Sequence, residues 1–251
     1  MINKTYNVTG HKIKVSFRKS EVEYIFKPLL DTLVRLRKKK QERIIVYLAA
    51  PPGAGKTTLA LFLKELYDEK ERPYSFQTVP MDGFHHDNAY LEKHTIMKNG
   101  EILPLKKFKG IPETFDFEAF EKKIIELKEQ PSVNWPIYDR ALHDVSKETR
   151  SVDANIVLIE GNYLLLNQEG WRSLKNYSDY TLFIDTKLER LKKRLIDRKQ
   201  LGGASVEEAI NHYETTDKVN AERVLTDSLP ADLNLYLTHE GFSDSKNEIK
   251  R

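Results

Sequence analysis

Residues 44–66 constrain this chain more than any other stretch. Ile44-Ile45-Val46-Tyr47-Leu48 is an unbroken apolar run, the pattern of a strand buried on both faces. Leu59 to Leu66 has helical spacing. Between them lies Ala50-Pro51-Pro52-Gly53-Ala54-Gly55-Lys56-Thr57-Thr58. Its last positions satisfy the phosphate-loop pattern G-x-x-x-x-G-K-[ST] through Gly55, Lys56 and Thr57, while Ala50 stands where the first glycine belongs. That departure is mild because alanine is also small. The loop has to wrap a polyphosphate with its backbone N–H groups, which bulky side chains would block. The helix that follows aims its positive end at the phosphates. Lys56 can reach the terminal phosphates, and the Thr57 hydroxyl suits Mg²⁺. Pro52, Gly53, Ala54, Gly55, Lys56, Thr57 and Thr58 are therefore the expected contacts for a nucleoside triphosphate. The motif leaves open what becomes of the phosphate.

The rest of the chain alternates strands with helices. Tyr6 to Phe17 reads as a hairpin around Thr9-Gly10, and Glu21 to Lys40 as a helix ending in a basic run. A second strand spans Tyr74 to Val79 and leads to Met81-Asp82-Gly83; His85 to Glu113 reads as loop. Asp116 is the expected N-cap of a helix over 117–129. Trp135 to Tyr138 is a short extended piece. Ile156 to Ile159 and Tyr180 to Ile184 are buried strands, and Leu233 to Leu237 a last one. Thr186 to Glu189 and Ser205 to Glu208 have the form of capping boxes. The expected fold is α/β, a P-loop NTPase with a mostly parallel sheet, helices on both faces and a helical lid. The expected division is an N-terminal hairpin and helix extension (1–43), a P-loop domain (44–240, lid near 190–220) and a polar tail (241–251).

Composition narrows the function classes. The absence of cysteine excludes disulfides, thiolate metal sites and cysteine nucleophiles. A net charge of +3, with 41 basic against 38 acidic residues, does not call for a nucleic-acid partner. No apolar run approaches the ~20 residues that cross a bilayer, and the N-terminus lacks a signal-like apolar core. A cytoplasmic location with no membrane partner is the expectation.

Two acids follow strands. Asp82 lies at a strand's carboxyl end, where parallel sheets bind ligands. It is either a turn residue of Asp-Gly type or a base that takes the proton of an attacking hydroxyl. Glu160, after Ile156 to Ile159, is placed to help hold the metal or its waters. Arg190, Arg194 and Arg198 recur every four residues on one helix face. They serve either as a solvated basic face or as a lid that neutralises a triphosphate.

Taken in order, the phosphate loop, Met81-Asp82-Gly83-Phe84-His85, Pro136-Ile137-Tyr138-Asp139-Arg140 with His143, Glu160-Gly161-Asn162-Tyr163 and the arginine-bearing stretch from Arg194 to Asn220 resemble the phosphoribulokinase / uridine kinase / bacterial pantothenate kinase superfamily. The likeness is greatest to its nucleoside/nucleotide-kinase-like branch, which includes fructose-transport-system kinases. It covers about Ile44 to Leu237. The resemblance implies an ATP- and Mg²⁺-dependent phosphotransferase acting on an alcohol of a small metabolite: a sugar, a nucleoside or a pantothenate-like compound. It implies Asp82 as catalytic base, with Lys56, Arg194 and Arg198 stabilising the moving phosphoryl group and Thr57 and Glu160 at the metal. It places His85, Tyr138, Asp139, Arg140 and His143 at the acceptor. By analogy it extends a homodimer to this chain. Uridine kinases carry an aromatic residue where this chain has Arg140, and an arginine there suits an anionic or highly hydroxylated acceptor. A nucleotide-dependent regulatory ATPase acting on a macromolecule is the competing reading.

Overall fold

The computed structural model describes residues 1–8, 10–98, 100–139 and 142–244. The chain opens with the hairpin β1 (Ile2–Val8) and β2 (His11–Phe17). Next come α1 (Lys19–Glu21), a π turn at Val22–Phe26 and α2 (Lys27–Lys40). The phosphate-loop unit is β3 (Ile44–Ala49) and α3 (Lys56–Asp68), followed by β4 (Phe76–Pro80) and a 3₁₀ turn, Met81–Phe84. Beyond it lie α4 (Asn88–Lys93), the hairpin β5 (Thr95–Lys98) and β6 (Glu101–Pro104), and α5 (Phe117–Glu129). A longer hairpin, β7 (Val133–Asp139) and β8 (Asp144–Val152), precedes β9 (Ile156–Gly161) and β10 (Tyr180–Asp185). The helices α6 (Leu188–Leu201), α7 (Val206–His212) and α8 (Lys218–Thr226) then lead to β11 (Leu233–Thr238) and β12 (Gly241–Asp244).

The central sheet runs β12-β11-β10-β3-β9-β4. Every pairing in it is parallel except that of β11 with β12. Side chains on a strand alternate between its two faces, and β3 shows the consequence. Ile44, Val46 and Leu48 enter one apolar core with α2, α3 and α6. Ile45, Tyr47 and Ala49 enter a second core with α5, β7 and the 163–174 segment. The expected α/β fold, with a mostly parallel sheet between helices, is what the chain forms. A third, small cluster of Leu91, Leu105, Phe108 and Ile111 closes the 88–111 segment on itself.

Local expectations fare unevenly. Asp116 caps α5 by accepting from the Ala119 N–H at 2.9 Å, and Ser205 with Glu208 forms a true capping box on α7. The box expected at Thr186 does not form. The Thr186 hydroxyl donates instead to the Leu237 carbonyl at 2.8 Å, so α6 begins at Leu188 with no side-chain cap. His85 to Glu113 is not plain loop but holds α4 and the β5–β6 hairpin. The extended piece at Trp135 is half of a hairpin whose partner, Asp144–Val152, is mostly exposed and so carries little apolar signal. Gly241 to Asp244, expected within a polar tail, pairs antiparallel with β11 and buries Phe242.

Candidate active site

The sheet register assembles one edge of the molecule. Leu48 on β3 and Pro80 on β4 both lie level with Glu160 on β9. The phosphate loop, Glu160 and the Asp82 turn therefore leave three adjacent parallel strands at the same height, at their carboxyl ends.

In the loop, Gly53 and Gly55 have φ of 79° and 91°, a conformation that side-chain-bearing residues rarely take. Their faces are covered as well. A Cβ on Gly53 would lie 2.9 Å from Leu195, and one on Gly55 would lie 3.0 Å from the Arg194 guanidinium. Ala50 is fully buried and keeps negative φ, so alanine meets no backbone penalty at the position where the pattern has glycine. Lys56, Thr57 and Thr58 form the first turn of α3, whose leading N–H groups lack helical acceptors. Pro52 and Ala54 are buried beside them.

Thr57 and Glu160 meet directly: the threonine hydroxyl donates to Glu160 Oε1 at 2.7 Å, and Glu160 is 5 % exposed. Magnesium ordinarily takes one or two protein oxygens and completes its shell with phosphate oxygens and water. A buried carboxylate touching the phosphate-loop hydroxyl fits that ion. These two residues would hold it directly or through its waters.

α6 lies across the loop. The Arg194 side chain as a whole is exposed, yet protein crowded around its guanidinium, with the charges of Arg190 and Arg198, lowers its pKa. An arginine so lowered still carries its charge. Arg198 turns the other way, 3.9 Å from Asp217. The arginine face is thus split, with Arg194 over the phosphate loop and Arg198 toward the π turn at Tyr213–Asp217.

Asp82 sits half-buried in the 3₁₀ turn, whose position is fixed by two close approaches. A Cβ on Gly83 would meet the Pro136 carbonyl at 2.1 Å, and one on Gly161 would meet Met81 at 2.7 Å. The Trp135 indole also donates to the Pro80 carbonyl at 2.8 Å. β7 is thereby held against the turn, which brings Tyr138 beside His85, ring centroids 5.4 Å apart. His85 stacks on Phe115 at 3.8 Å and its Nδ1 donates to the Thr114 carbonyl at 3.3 Å. Burial pushes its pKa down to about 3, so the ring is neutral and Nε2 carries the lone pair. Burial and the Asp144 charge push the Tyr138 phenol up to about 12.

Of the other acceptor candidates, Asp139 accepts from the Leu142 N–H at 3.1 Å and His143 is exposed, in left-handed backbone with φ of 51°. Arg140 lies outside the described residues. Sequence reasoning missed Lys109. Its ammonium donates to Asn88 Oδ1 at 2.9 Å and to the His143 carbonyl at 2.8 Å, and lies 5.0 Å from the Tyr138 ring centre. Burial lowers its pKa. Asn220, which the sequence singles out without a role, is 3 % exposed beside Gly110, and its Oδ1 has no hydrogen-bond partner.

Comparison with known proteins agrees with this geometry. The model of the Phosphoribulokinase / Uridine kinase family matches residues 45–235. The uncharacterized protein YggC of Escherichia coli (strain K12) is 40% identical over 235 residues, 93% of this chain and 95% of that protein. A pantothenate kinase of Listeria welshimeri is 29% identical, over 76% of this chain and 62% of its own length. Among solved structures, the "putative fructose transport system kinase" of Silicibacter sp. TM1040 superposes with a TM-score of 0.70 at 33% identity. That alignment covers 82% of this chain and 98% of the other.

Proposed function

This chain belongs to the phosphoribulokinase / uridine kinase family, and we propose from that premise that it transfers the γ-phosphoryl group of ATP to an alcohol of a small metabolite. The acceptor class is a sugar, a nucleoside or a pantothenate-like compound. The observation that carries the reading is the common height of three strand ends: the phosphate loop, the Thr57–Glu160 pair and the Asp82 turn.

In this reading the triphosphate lies in the Gly53–Thr58 loop, with Lys56 at its terminal phosphates. The acceptor enters between the Asp82 turn and the β7–β8 hairpin. Asp82 accepts the hydroxyl proton as that oxygen bonds to the γ-phosphorus; the bond from phosphorus to the β–γ bridging oxygen breaks and its electron pair leaves with ADP. Magnesium, when bound, neutralises charge on the phosphates. Arg194 faces the charge that spreads over the transferred group, a contribution that grows where water is excluded. Tyr138, Asp139, Lys109 and the neutral ring of His85 line the approach and orient the acceptor.

The test is ADP release with Mg·ATP across a panel of sugars, sugar phosphates, nucleosides and pantothenate, with Asp82→Asn in parallel. An acceptor-dependent rate should fall by about three orders of magnitude or more in the variant, while ADP binding stays within about twofold. Turnover indifferent to every acceptor and to the substitution would reject the proposal in favour of a regulatory ATPase.

A further inference from the structure

A cavity of about 320 Å³ opens beside the phosphate loop, on the flank away from Asp82. Sheet order fixes that relation. Asp82 and Glu160 follow β4 and β9 on one side of β3, whereas the cavity is bounded by the β11–β12 turn on the other. Its floor is Ala54, Gly55, Thr58 and Leu59, and Arg190 and Arg194 stand along one side. Met1 and Val15 to Phe17 close it from the N-terminal hairpin.

Two segments outside the family-matched residues thus build its outer wall, and they are tied to each other. Glu21, 2 % exposed, accepts from the Phe242 N–H at 2.5 Å and from the Arg18 N–H at 2.6 Å. Arg18 Nη2 donates to the Phe242 carbonyl at 2.9 Å. Gly241, at φ of 118°, leaves no room for a Cβ, which would sit 2.0 Å from Glu21 Oε1. On the inner side, Tyr6 donates to Glu65 of α3 at 2.6 Å, and Phe17 stacks on Phe62 of α3 at 3.9 Å. The wall is anchored to α3, the helix that begins at the end of the phosphate loop.

A nucleoside triphosphate is a linear ligand. With its terminal phosphate directed toward Asp82, its base and ribose must trail to the opposite flank. The cavity there has the size of a small-molecule pocket. It offers apolar surface from Val15, Phe17, Leu59 and Leu237, and the guanidinium of Arg190, a group of the kind that stacks on flat rings. Arg190 Nε is buried without a hydrogen-bond partner, so part of that wall is unsatisfied.

We propose that the N-terminal hairpin and the β11–β12 turn form the wall that holds the base and ribose of the phosphoryl donor, and that they set which nucleotide this chain accepts. The proposal rests on the reading of the Gly53–Thr58 loop as the donor site. Val15 is its sharpest probe, because it lines the cavity from the hairpin and is not itself part of the loop.

Binding of Mg·ADP and of Mg·pyrophosphate is measured by calorimetry for the wild type and Val15→Trp, with no acceptor present. The expected result is ADP binding weakened about tenfold or more, with pyrophosphate binding within about twofold. Equal weakening of both ligands, or no change in either, overturns the proposal. Should Val15→Trp fail to fold, hydrogen exchange of the wild type decides. ADP slows the amides of 15–17 and 237–242 and pyrophosphate does not; unchanged exchange in both segments overturns it. A wild type that binds neither ligand would overturn the donor-site reading and this proposal together, whereas a wild type that binds both, with a variant that does not discriminate, would overturn this proposal alone.

Discussion

Asp82, Thr57 and Glu160 are separated by tens of residues, yet the sheet register delivers them to one edge. The phosphate loop was legible because it follows the apolar run Ile44 to Leu48, and Glu160 because it ends the run Ile156 to Ile159. The strand before Asp82, Phe76–Pro80, is more mixed and left that residue open between turn and base. Lys109 and Asn88 were not legible. They lie in a stretch with no long element, and only the packing of Leu91, Leu105, Phe108 and Ile111 decides where their side chains go. The sequence offered His85 as an acceptor candidate but did not show it as buried and neutral. Its environment makes a test at this scale. In the folded chain its pKa is held down to about 3, against the ordinary 6.5, so the unfolded chain takes up the proton first. Stability from this group is fully present above pH 6.5 and is lost as pH falls through 6.5 toward 3. Urea midpoints measured between pH 7 and pH 4 should fall more steeply for the wild type than for His85→Phe, which has no proton to gain. Parallel slopes would mean that the ring is not buried as described.

At the scale of elements, α6 is the part that touches the phosphate loop, through Leu195 over Gly53 and Arg194 over Gly55. The periodicity of Arg190, Arg194 and Arg198 announced a helical face but could not say that the face divides. Leu191 and Leu195 are what decide it: both are fully buried and pin the helix so that the turn carrying Arg194 faces the loop. Arg194 and Arg198 stay exposed, but the helix that carries them is held in place by those leucines, with Arg194 over Gly55. Removing the Arg194 guanidinium should therefore lower kcat by about 10²–10³-fold, the size of losing one preorganised donor to a developing oxyanion. Arg194→Lys should recover only part of the loss, because an ammonium lacks the planar fork. Steady-state kinetics on the two variants checks this. A kcat within threefold of wild type in Arg194→Ala would return the helix to the status of a basic surface. The capping error at Thr186 has the same origin as the success at Ser205. Both have the right spacing, but only Thr186 has a strand carbonyl, that of Leu237, within reach of its hydroxyl.

At the scale of the whole molecule, the segments that the sequence divides into an N-terminal extension, a P-loop kinase domain and a polar tail share one piece of packing. Phe17 and Phe26 from the N-terminal segment, Phe62 from α3 and Phe242 from β12 form one aromatic cluster, with Phe17 and Phe62 stacked at 3.9 Å and Phe26 edge-on to Phe62 and Phe242. The sequence could not disclose this, because the hairpin alternates too weakly to show which face it buries and its partner Phe242 is over two hundred residues away. The two tryptophans make the consequence measurable. Trp135 and Trp171 both belong to the core on the opposite face of the sheet from Phe17. If the hairpin were an appendage, Phe17→Ala would leave tryptophan fluorescence unfolding at the wild-type urea concentration. If the cluster is part of one cooperative unit, truncating a buried phenylalanine costs about 3–5 kcal/mol. The whole loss then appears in a signal from residues that Phe17 never touches. The expected result is a single fluorescence transition, shifted to lower urea by that free energy and superimposable on the transition seen by far-ultraviolet circular dichroism. An unshifted tryptophan transition, with an earlier and separate dichroism change, would show that the N-terminal segment folds apart from the sheet.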